Sequence, residues 1–160
     1  MGIQIIIQTV SAFLAVVCFG LLLEMPKRYL LDAGVVGGAA WLVYLLTDQW
    51  TGSNIMAAFA STLVVACISH MFARLFKAPV TVFLVAGILP AVPGASIYRC
   101  VFYVIRSGSS LATFYFIETL QIAGAIAIAI FIMDSIFRLI QDNEKRWKKS
   151  RPDGNSGTPG

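Results

Sequence analysis

The chain has 160 residues, of which 58% are hydrophobic and only 12% are charged. This composition excludes a soluble globular domain, because several apolar runs exceed the roughly 18 residues that mark a transmembrane helix. The formal net charge of +4 lies mostly in a basic tail, which indicates an anchor against anionic membrane lipid and argues against a nucleic-acid partner. We therefore predict an all-α membrane protein, with a transmembrane helical domain over 1–140 and a basic, disordered cytoplasmic tail over 141–160.

Five apolar runs are long enough to be membrane spans. In chain order they cover Ile3–Leu23, Tyr29–Leu46, Asn54–Phe72, Pro79–Ile105 and Leu111–Phe137. The first run is too long for the apolar core of a signal peptide and has no basic segment before it, which predicts a retained helix. The connections are short, so consecutive helices are expected to be antiparallel neighbours.

The fourth run is broken at Pro90-Ala91-Val92-Pro93-Gly94, which cannot continue as a regular α-helix. Each proline removes a backbone donor, and the glycine permits an abrupt turn. In lipid such a break is tolerated only where the freed backbone groups face protein, water or a ligand. Broken helices of this kind form midplane binding sites in transporters. The alternative interpretation is a proline kink that only shapes packing.

The path of the chain through this run has two interpretations. A single broken span gives five crossings, whereas a re-entrant hairpin gives four. Five crossings with the N-terminus outside satisfy the positive-inside rule, because ten of the twelve basic residues then lie on the inner side. These are Lys27, Arg28, Arg74, Lys77, Arg138, Lys145, Arg146, Lys148, Lys149 and Arg151. The expected location is the cell (inner) membrane, with a cytoplasmic C-terminus.

Charged groups inside a bilayer are costly and tend to mark transport pathways or ion pairs. At 1.5 Å per residue, Arg99 lies roughly 8 Å beyond the break towards the outer face. By the same count, Glu118 lies roughly 10 Å below that face. The matching depths predict that the two residues pair or share a water-filled cavity, where substrate or proton binding competes for them. A purely structural salt bridge is the alternative.

The second half-helix of the broken span begins at Gly94, where unpaired N–H groups and the positive end of the helix dipole suit a carboxylate. The candidate substrate-binding residues are Pro90, Pro93, Gly94, Ser96, Tyr98 and Arg99. The candidate coupling residues are Glu118 and Asp32. Asp32 lies one turn inside the second span, so pairing with Lys27 and Arg28 is the alternative for it.

Two ionisable residues lie near the inner ends of their spans. Asp134 precedes Arg138 by four residues, which is the spacing of an ion pair on a helix surface. His70 is the only histidine and has no metal partners in the sequence. We expect it to be a satisfied interfacial histidine, with pH sensing as the alternative.

No sequence motif indicates an enzyme or a cofactor. Cys18, Cys67 and Cys100 lie in separate apolar runs without a Cys-x-x-Cys pair, so neither a disulfide nor a zinc site is indicated. No P-loop, nucleophile elbow, His-Glu-x-x-His or dinucleotide fingerprint occurs. Trp41 and Tyr44 are typical of membrane-interface anchors.

Small residues mark possible close helix contacts. Gly34 and Gly38 have the small-xxx-small spacing, and Gly124 begins a second cluster. These patterns favour ordinary close packing inside the bundle over an oligomer seam.

The stretch from Lys77 through Pro90-Ala91-Val92-Pro93-Gly94 to Arg99 resembles the threonine/serine exporter family, and specifically its small five-span membrane component. The specific part is the Pro-x-x-Pro-Gly-x-x-x-Tyr pattern, in which Tyr98 falls at the family's tyrosine. The small residues around Gly124 are also similar. The role of Glu118 rests on its depth and not on this resemblance.

The resemblance implies ion-coupled export of a small hydroxy amino acid, threonine or serine, or of a small dicarboxylate such as succinate. It also implies a partner, because the family fuses two five-span halves or divides them between two chains, the larger with a soluble N-terminal region. This chain is then the smaller half, although a homo-oligomer is an alternative. A non-transporting accessory subunit is a further interpretation. A channel is disfavoured, since the polar residues cluster at one break and form no continuous stripe.

Overall fold

The computed structural model describes residues 2–106 and 109–149, with side chains described except at 109 and 144–149. Within these ranges the chain is helical and contains no strand. The helices are α1 (Gly2–Leu22), α2 (Leu30–Thr51), α3 (Asn54–Phe76), α4 (Val80–Ile88), α5 (Gly94–Ile105) and α6 (Ser109–Lys149). Single 3-10 turns precede α2 at Lys27–Tyr29 and follow α4 at Leu89–Ala91.

The predicted spans are confirmed, including the broken one. Among the described residues, α1, α2, α3 and α6 are each long and apolar enough to cross a membrane. The segments 80–91 and 94–105 pass the same test together and meet at a bend of 50°.

Helix α6 has 41 residues, so the segment 141–149 is helical. The rest of the predicted tail, 150–160, lies outside the described residues.

The relation of α3 to α6 decides between a broken span and a re-entrant hairpin. Asn54 at the start of α3 contacts Glu118 in α6 at 3.0 Å, and His70 contacts Asp134 at 3.6 Å further along both helices. Both pairs are 64 residues apart (118 − 54 and 134 − 70), so α3 and α6 run parallel. A hairpin would return the chain to its starting side and make them antiparallel. Helices α4 and α5 therefore form one broken crossing, as predicted.

The break is formed by the prolines and the residue between them. Val92 is extended, with φ −60° and ψ 132°, because the ring of Pro93 disfavours helical geometry in the preceding residue. Gly94 does not have a positive φ, and a Cβ built on it meets nothing within 4 Å. The expectation that the glycine makes the turn is therefore wrong, since any L-residue can adopt its backbone conformation.

Helix α2 packs closely on α1 through its glycines. A Cβ added to Gly37 would lie 2.3 Å from Cγ2 of Val16, and one added to Gly34 would lie 2.7 Å from the ring of Phe13. A Cβ on Gly124 in α6 meets nothing within 4 Å. The close helix contact predicted around Gly34 is thus present inside the chain, whereas the second small-residue cluster shows no such contact at its glycine.

Helix α4 completes the core between α2 and α3. Phe83 is fully buried in a cluster with Val16 and Tyr29, and Gly87 allows α4 to approach Val36 and Val65. This packing holds the first half of the broken span. Helix α5, beyond the break, packs instead on α6. The break therefore lies where the chain leaves the core of the bundle for its other side.

We expect Gly37→Ala to destabilise the protein by about 1–3 kcal/mol, because the new methyl group overlaps the β-branched side chain of Val16, which has few alternative rotamers. Gly124→Ala is the matched control and should be neutral or slightly stabilising. Reversible unfolding in mixed detergent micelles measures both. Equal stability of the two variants would contradict the close α1–α2 contact.

Candidate functional site

A cavity of ≈ 270 Å³ opens beside the break. It is lined by Trp41, Tyr44, Asn54, Pro90, Ala91, Val92, Pro93, Gly94, Ala95, Ser96, Arg99 and Ile122. These residues come from α2, α3, the break itself, α5 and α6, so the cavity lies where all these elements meet. A larger groove of ≈ 480 Å³ lies on the α1 side of Trp41 and Pro90. Its lining contains no charged residue, and we therefore assign the chemistry to the smaller cavity.

A chain of hydrogen bonds ties four helices, α2, α3, α5 and α6, together at this cavity. The hydroxyl of Tyr44 donates to Oδ1 of Asn54 at 3.4 Å, and Nδ2 of Asn54 donates to Oε1 of Glu118 at 3.0 Å. The hydroxyl of Ser96 donates to Oε2 of Glu118, also at 3.0 Å. Each carboxylate oxygen of Glu118 thus accepts one bond from a neutral donor, and lone pairs remain on both.

Local sequence places these donors. Helix α2 ends at Gly52, whose φ of +62° is a left-handed conformation that favours glycine. The chain therefore reverses within two residues and begins α3 with Asn54 facing Tyr44. Ser96 lies in the first turn of α5 and is buried, with 7% of its surface exposed. The break thus carries Ser96 to the carboxylate of Glu118.

Arg99 lies in the cavity wall without a carboxylate partner. No ion pair joins it to an acidic residue in the described part of the chain. Its guanidinium carbon lies 5.5 Å from the ring centre of Tyr115, within the range of a cation–π interaction. The predicted direct pair of Arg99 with Glu118 is therefore not formed. Both residues nevertheless belong to the same site, since the two donors to Glu118 line the cavity together with Arg99.

The other predicted site residues divide into two groups. Pro90, Pro93, Gly94 and Ser96 line the cavity. Tyr98 does not: its side chain is 69% exposed and its ring stacks on Phe102. It points away because it lies two residues after Ser96, on a different side of the helix.

Asp32 is also remote from the cavity. It lies in the first turn of α2, nine residues before Trp41 and so about 14 Å from it along the helix. No ion pair joins it to Lys27 or Arg28 within the described ranges. Arg28 lies instead over the ring of Tyr29, at 4.4 Å.

Sequence reasoning missed three polar or aromatic residues of the site. The sequence predicts Trp41 and Tyr44 to be membrane-interface anchors, and it does not single out Asn54 as a site residue. In the structure Trp41 and Tyr44 stack at 5.0 Å with an angle of 2° between their rings and form one wall of the cavity. Their spacing of three residues places both on one face of α2, and Asn54 is a strong hydrogen-bonding residue at a span end. Both signals can be read from the sequence, but neither is specific for a ligand-binding site.

The arrangement suits a small ligand that carries both charges. Arg99 lines the cavity with a guanidinium. Glu118 is not itself a lining residue, but its carboxylate is bonded to Asn54 and Ser96, which are. The first turn of α5 lacks a side-chain cap, so its end can accept an anion. The volume lies just below the ~300 Å³ at which pockets for drug-sized molecules begin. Among the described residues no group of three His, Cys, Asp or Glu side chains could hold a metal ion.

Comparison with known proteins gives one family. The family model described as "Threonine/Serine exporter, ThrE" matches residues 8–136. This range contains the break, the cavity and the contacts between α3 and α6. No solved structure matches the chain.

One curated relative is similar over part of its length. It is described as a probable threonine/serine exporter of Mycobacterium tuberculosis (strain ATCC 25618 / H37Rv) and is 28% identical over 102 residues. The match covers 64% of this chain and 19% of the relative. The chain therefore spans about a fifth of that protein's length.

The hydrogen bond between Ser96 and Glu118 is open to a double-mutant cycle. We expect Ser96→Ala and Glu118→Ala to show a coupling of about 1 kcal/mol in unfolding free energy, because each removes one side of the same bond. Thr9→Ala is the control, since its hydroxyl bonds the carbonyl of Ile5 in its own helix. It should be additive with Glu118→Ala. Additivity of both pairs would exclude the bond.

Proposed function

We propose a function from the premise that this chain belongs to the threonine/serine exporter family: it is a multi-pass membrane component that exports threonine and serine through the cavity at the broken span. The observation that carries this proposal is the cavity itself, which places Arg99 and the hydrogen-bonded partners of Glu118 in one wall. A free amino acid carries an ammonium and a carboxylate on the same α-carbon, and in the proposed complex each of them meets a group of opposite charge.

In the proposed complex the substrate carboxylate binds Arg99 and the uncapped first turn of α5. The guanidinium offers several fixed donors, which suits a carboxylate. The substrate ammonium binds Glu118, whose oxygens retain free lone pairs beside Asn54 and Ser96. Tyr44 and Asn54 supply polar groups for a side-chain hydroxyl, and the stacked ring of Trp41 closes the wall.

The same geometry favours an amino acid over a dicarboxylate. Succinate has no cation, so its second carboxylate would lie near Glu118 and the two negative charges would repel each other. The dicarboxylate alternative therefore requires a protonated Glu118 or a different binding mode. An accessory, non-transporting role is the other alternative, and it predicts that no substrate binds here.

We further propose that transport is coupled to an ion gradient and that this chain works with a second membrane unit. The support for a second unit is the family resemblance, which implies two five-span halves. The proposed orientation has the N-terminus outside, in the cell (inner) membrane, because the basic residues then lie inside. In that orientation the cavity, which includes Asn54 at the outer end of α3, faces the outer half of the bilayer.

The test is transport of labelled threonine, serine and succinate in proteoliposomes, with this chain alone and with a candidate five-span partner. Transport by the chain alone indicates a homo-oligomer, and transport only with the partner indicates half of a transporter. Absence of transport in both preparations, with correct insertion, would contradict an exporting role.

We expect Arg99→Gln to reduce serine and threonine transport at least about tenfold, because one good charge-assisted contact is worth roughly 1.5–3 kcal/mol. Arg106→Gln is the matched control. It caps the C-terminal end of the same helix, its guanidinium lies 5.1 Å from the ring centre of Phe102, and it does not line the cavity. Counterflow of labelled serine measures both variants at equal incorporation. An equal loss in both variants would contradict the assignment of Arg99 to the site.

A further inference from the structure

A second polar contact joins α3 and α6 at the end opposite the cavity. Nε2 of His70 lies 3.6 Å from Oδ1 of Asp134. His70 follows Asn54 by sixteen residues in α3, and Asp134 follows Glu118 by sixteen residues in α6. At 1.5 Å per residue, the two contacts are about 24 Å apart along the helix axes. The contact is therefore separate from the cavity, although the same two helices form both.

The surroundings of His70 fix both its ring plane and its tautomer. The side chain is only 7% exposed, and its ring stacks on that of Phe137 at 4.4 Å with 15° between the planes. Nδ1 lies 2.8 Å from the carbonyl oxygen of Ala66. A carbonyl oxygen only accepts hydrogen bonds, so Nδ1 carries a hydrogen in this arrangement. Nε2 is then the nitrogen that gains or loses a proton.

The contact with Asp134 depends on that proton. When Nε2 is bare, its lone pair faces a carboxylate oxygen, and two acceptors meet. When Nε2 is protonated, the imidazolium becomes a donor towards an opposite charge, and the same contact attracts. Asp134 is 43% exposed, so its carboxylate is not enclosed by the bundle.

The two oxygens of Asp134 face different partners. Arg138 donates from Nε to Oδ2 of Asp134 at 2.8 Å, as the sequence spacing predicted, while Oδ1 faces His70. On α3, Arg74 lies over the ring of Phe137 at 5.5 Å. Helix α4 contains no titratable residue. Asp32 on α2 is half-buried at the same end of the bundle and forms no ion pair with His70 within the part of the chain that the structure describes.

We infer that His70 and Asp134 form a proton-binding site, distinct from the cavity, that ties the inner ends of α3 and α6 together when it is loaded. In the loading step a hydronium ion gives its proton to the Nε2 lone pair, which leaves water and an imidazolium beside the carboxylate. The same two helices also form the Asn54–Glu118 hydrogen bond. A movement of α6 along α3 would therefore change the His70–Asp134 contact and the Asn54–Glu118 bond together. Resting on the proposed function, this makes His70 the point where a proton gradient acts on export.

The first test does not depend on transport. His70 is the only histidine, so histidine labelled with ¹⁵N gives one imidazole signal pair from the full chain in micelles. We expect the neutral ring to carry its hydrogen on Nδ1 and Nε2 to titrate. In the Asp134→Asn variant, the pH dependence of the Nε2 signal should differ from that of the wild type. Asp142→Asn, the same change two turns further along α6 at an exposed side chain, should leave the profiles superimposed.

The second test uses the same variants in proteoliposomes. We expect His70→Gln and Asp134→Asn to lower serine accumulation driven by a pH gradient about tenfold, which is within the usual range of coupling between two sites. Counterflow at equal pH, which needs no proton gradient, should remain near the wild-type rate. Asp142→Asn should match the wild type in both assays.

The two tests separate failure of this site from failure of the exporter function. Superimposed profiles for Asp134→Asn and Asp142→Asn, or a neutral ring with its hydrogen on Nε2, would overturn the proton site whatever the transport result. Distinct profiles with unchanged gradient-driven accumulation would overturn its coupling role. A wild type without counterflow would contradict the proposed function alone, since the imidazole signals decide the proton site independently.

Discussion

The structure depends on one constraint, which is that a bilayer offers no water to satisfy free backbone groups. Pro90 and Pro93 remove two amide donors from the fourth span, and the carbonyls that those amides would have served lose their partners. The break can therefore exist only where protein or a hydrated cavity surrounds it. Here it is enclosed by the aromatic wall of α2, the start of α3 and the middle of α6. The site is thus a direct consequence of the break.

The parallel arrangement of α3 and α6 follows from the same break. The broken span has enough length to cross once with a 50° bend, and this crossing brings α6 back to run beside α3 in a register of 64 residues at both ends. Close packing of α1, α2 and α4 through Gly37 and Gly87 gives a firm core on one side. On the other side, α6 is held by polar contacts to α3 and α5 together with apolar packing, in which Ile122 and Ala129 are buried.

Much of the fold could be predicted from the sequence, because run length and proline position are local signals. The site could be predicted only in part. Depth counting placed Arg99 and Glu118 at a common level, but depth is one coordinate, and the rotation of α5 about its axis decides what each side chain meets. That rotation brings the Ser96 hydroxyl within hydrogen-bonding distance of the Glu118 carboxylate. It also directs the Tyr98 side chain away from the cavity. Asn54 was missed because it lies 64 residues from Glu118, and no local pattern links them.

Under the proposed function, the cavity suits a zwitterion because the charges of Glu118 and Arg99 are not paired with each other. Glu118 accepts bonds from neutral donors, Asn54 and Ser96, which stabilise its charge without cancelling it. Arg99 has the ring of Tyr115 beside it, and a cation–π contact also leaves the positive charge in place. A direct ion pair would have neutralised both groups and left little for a ligand to gain. Because the two charges are held apart, a substrate with an ammonium and a carboxylate can complete both contacts at once, whereas an ion of a single sign completes only one.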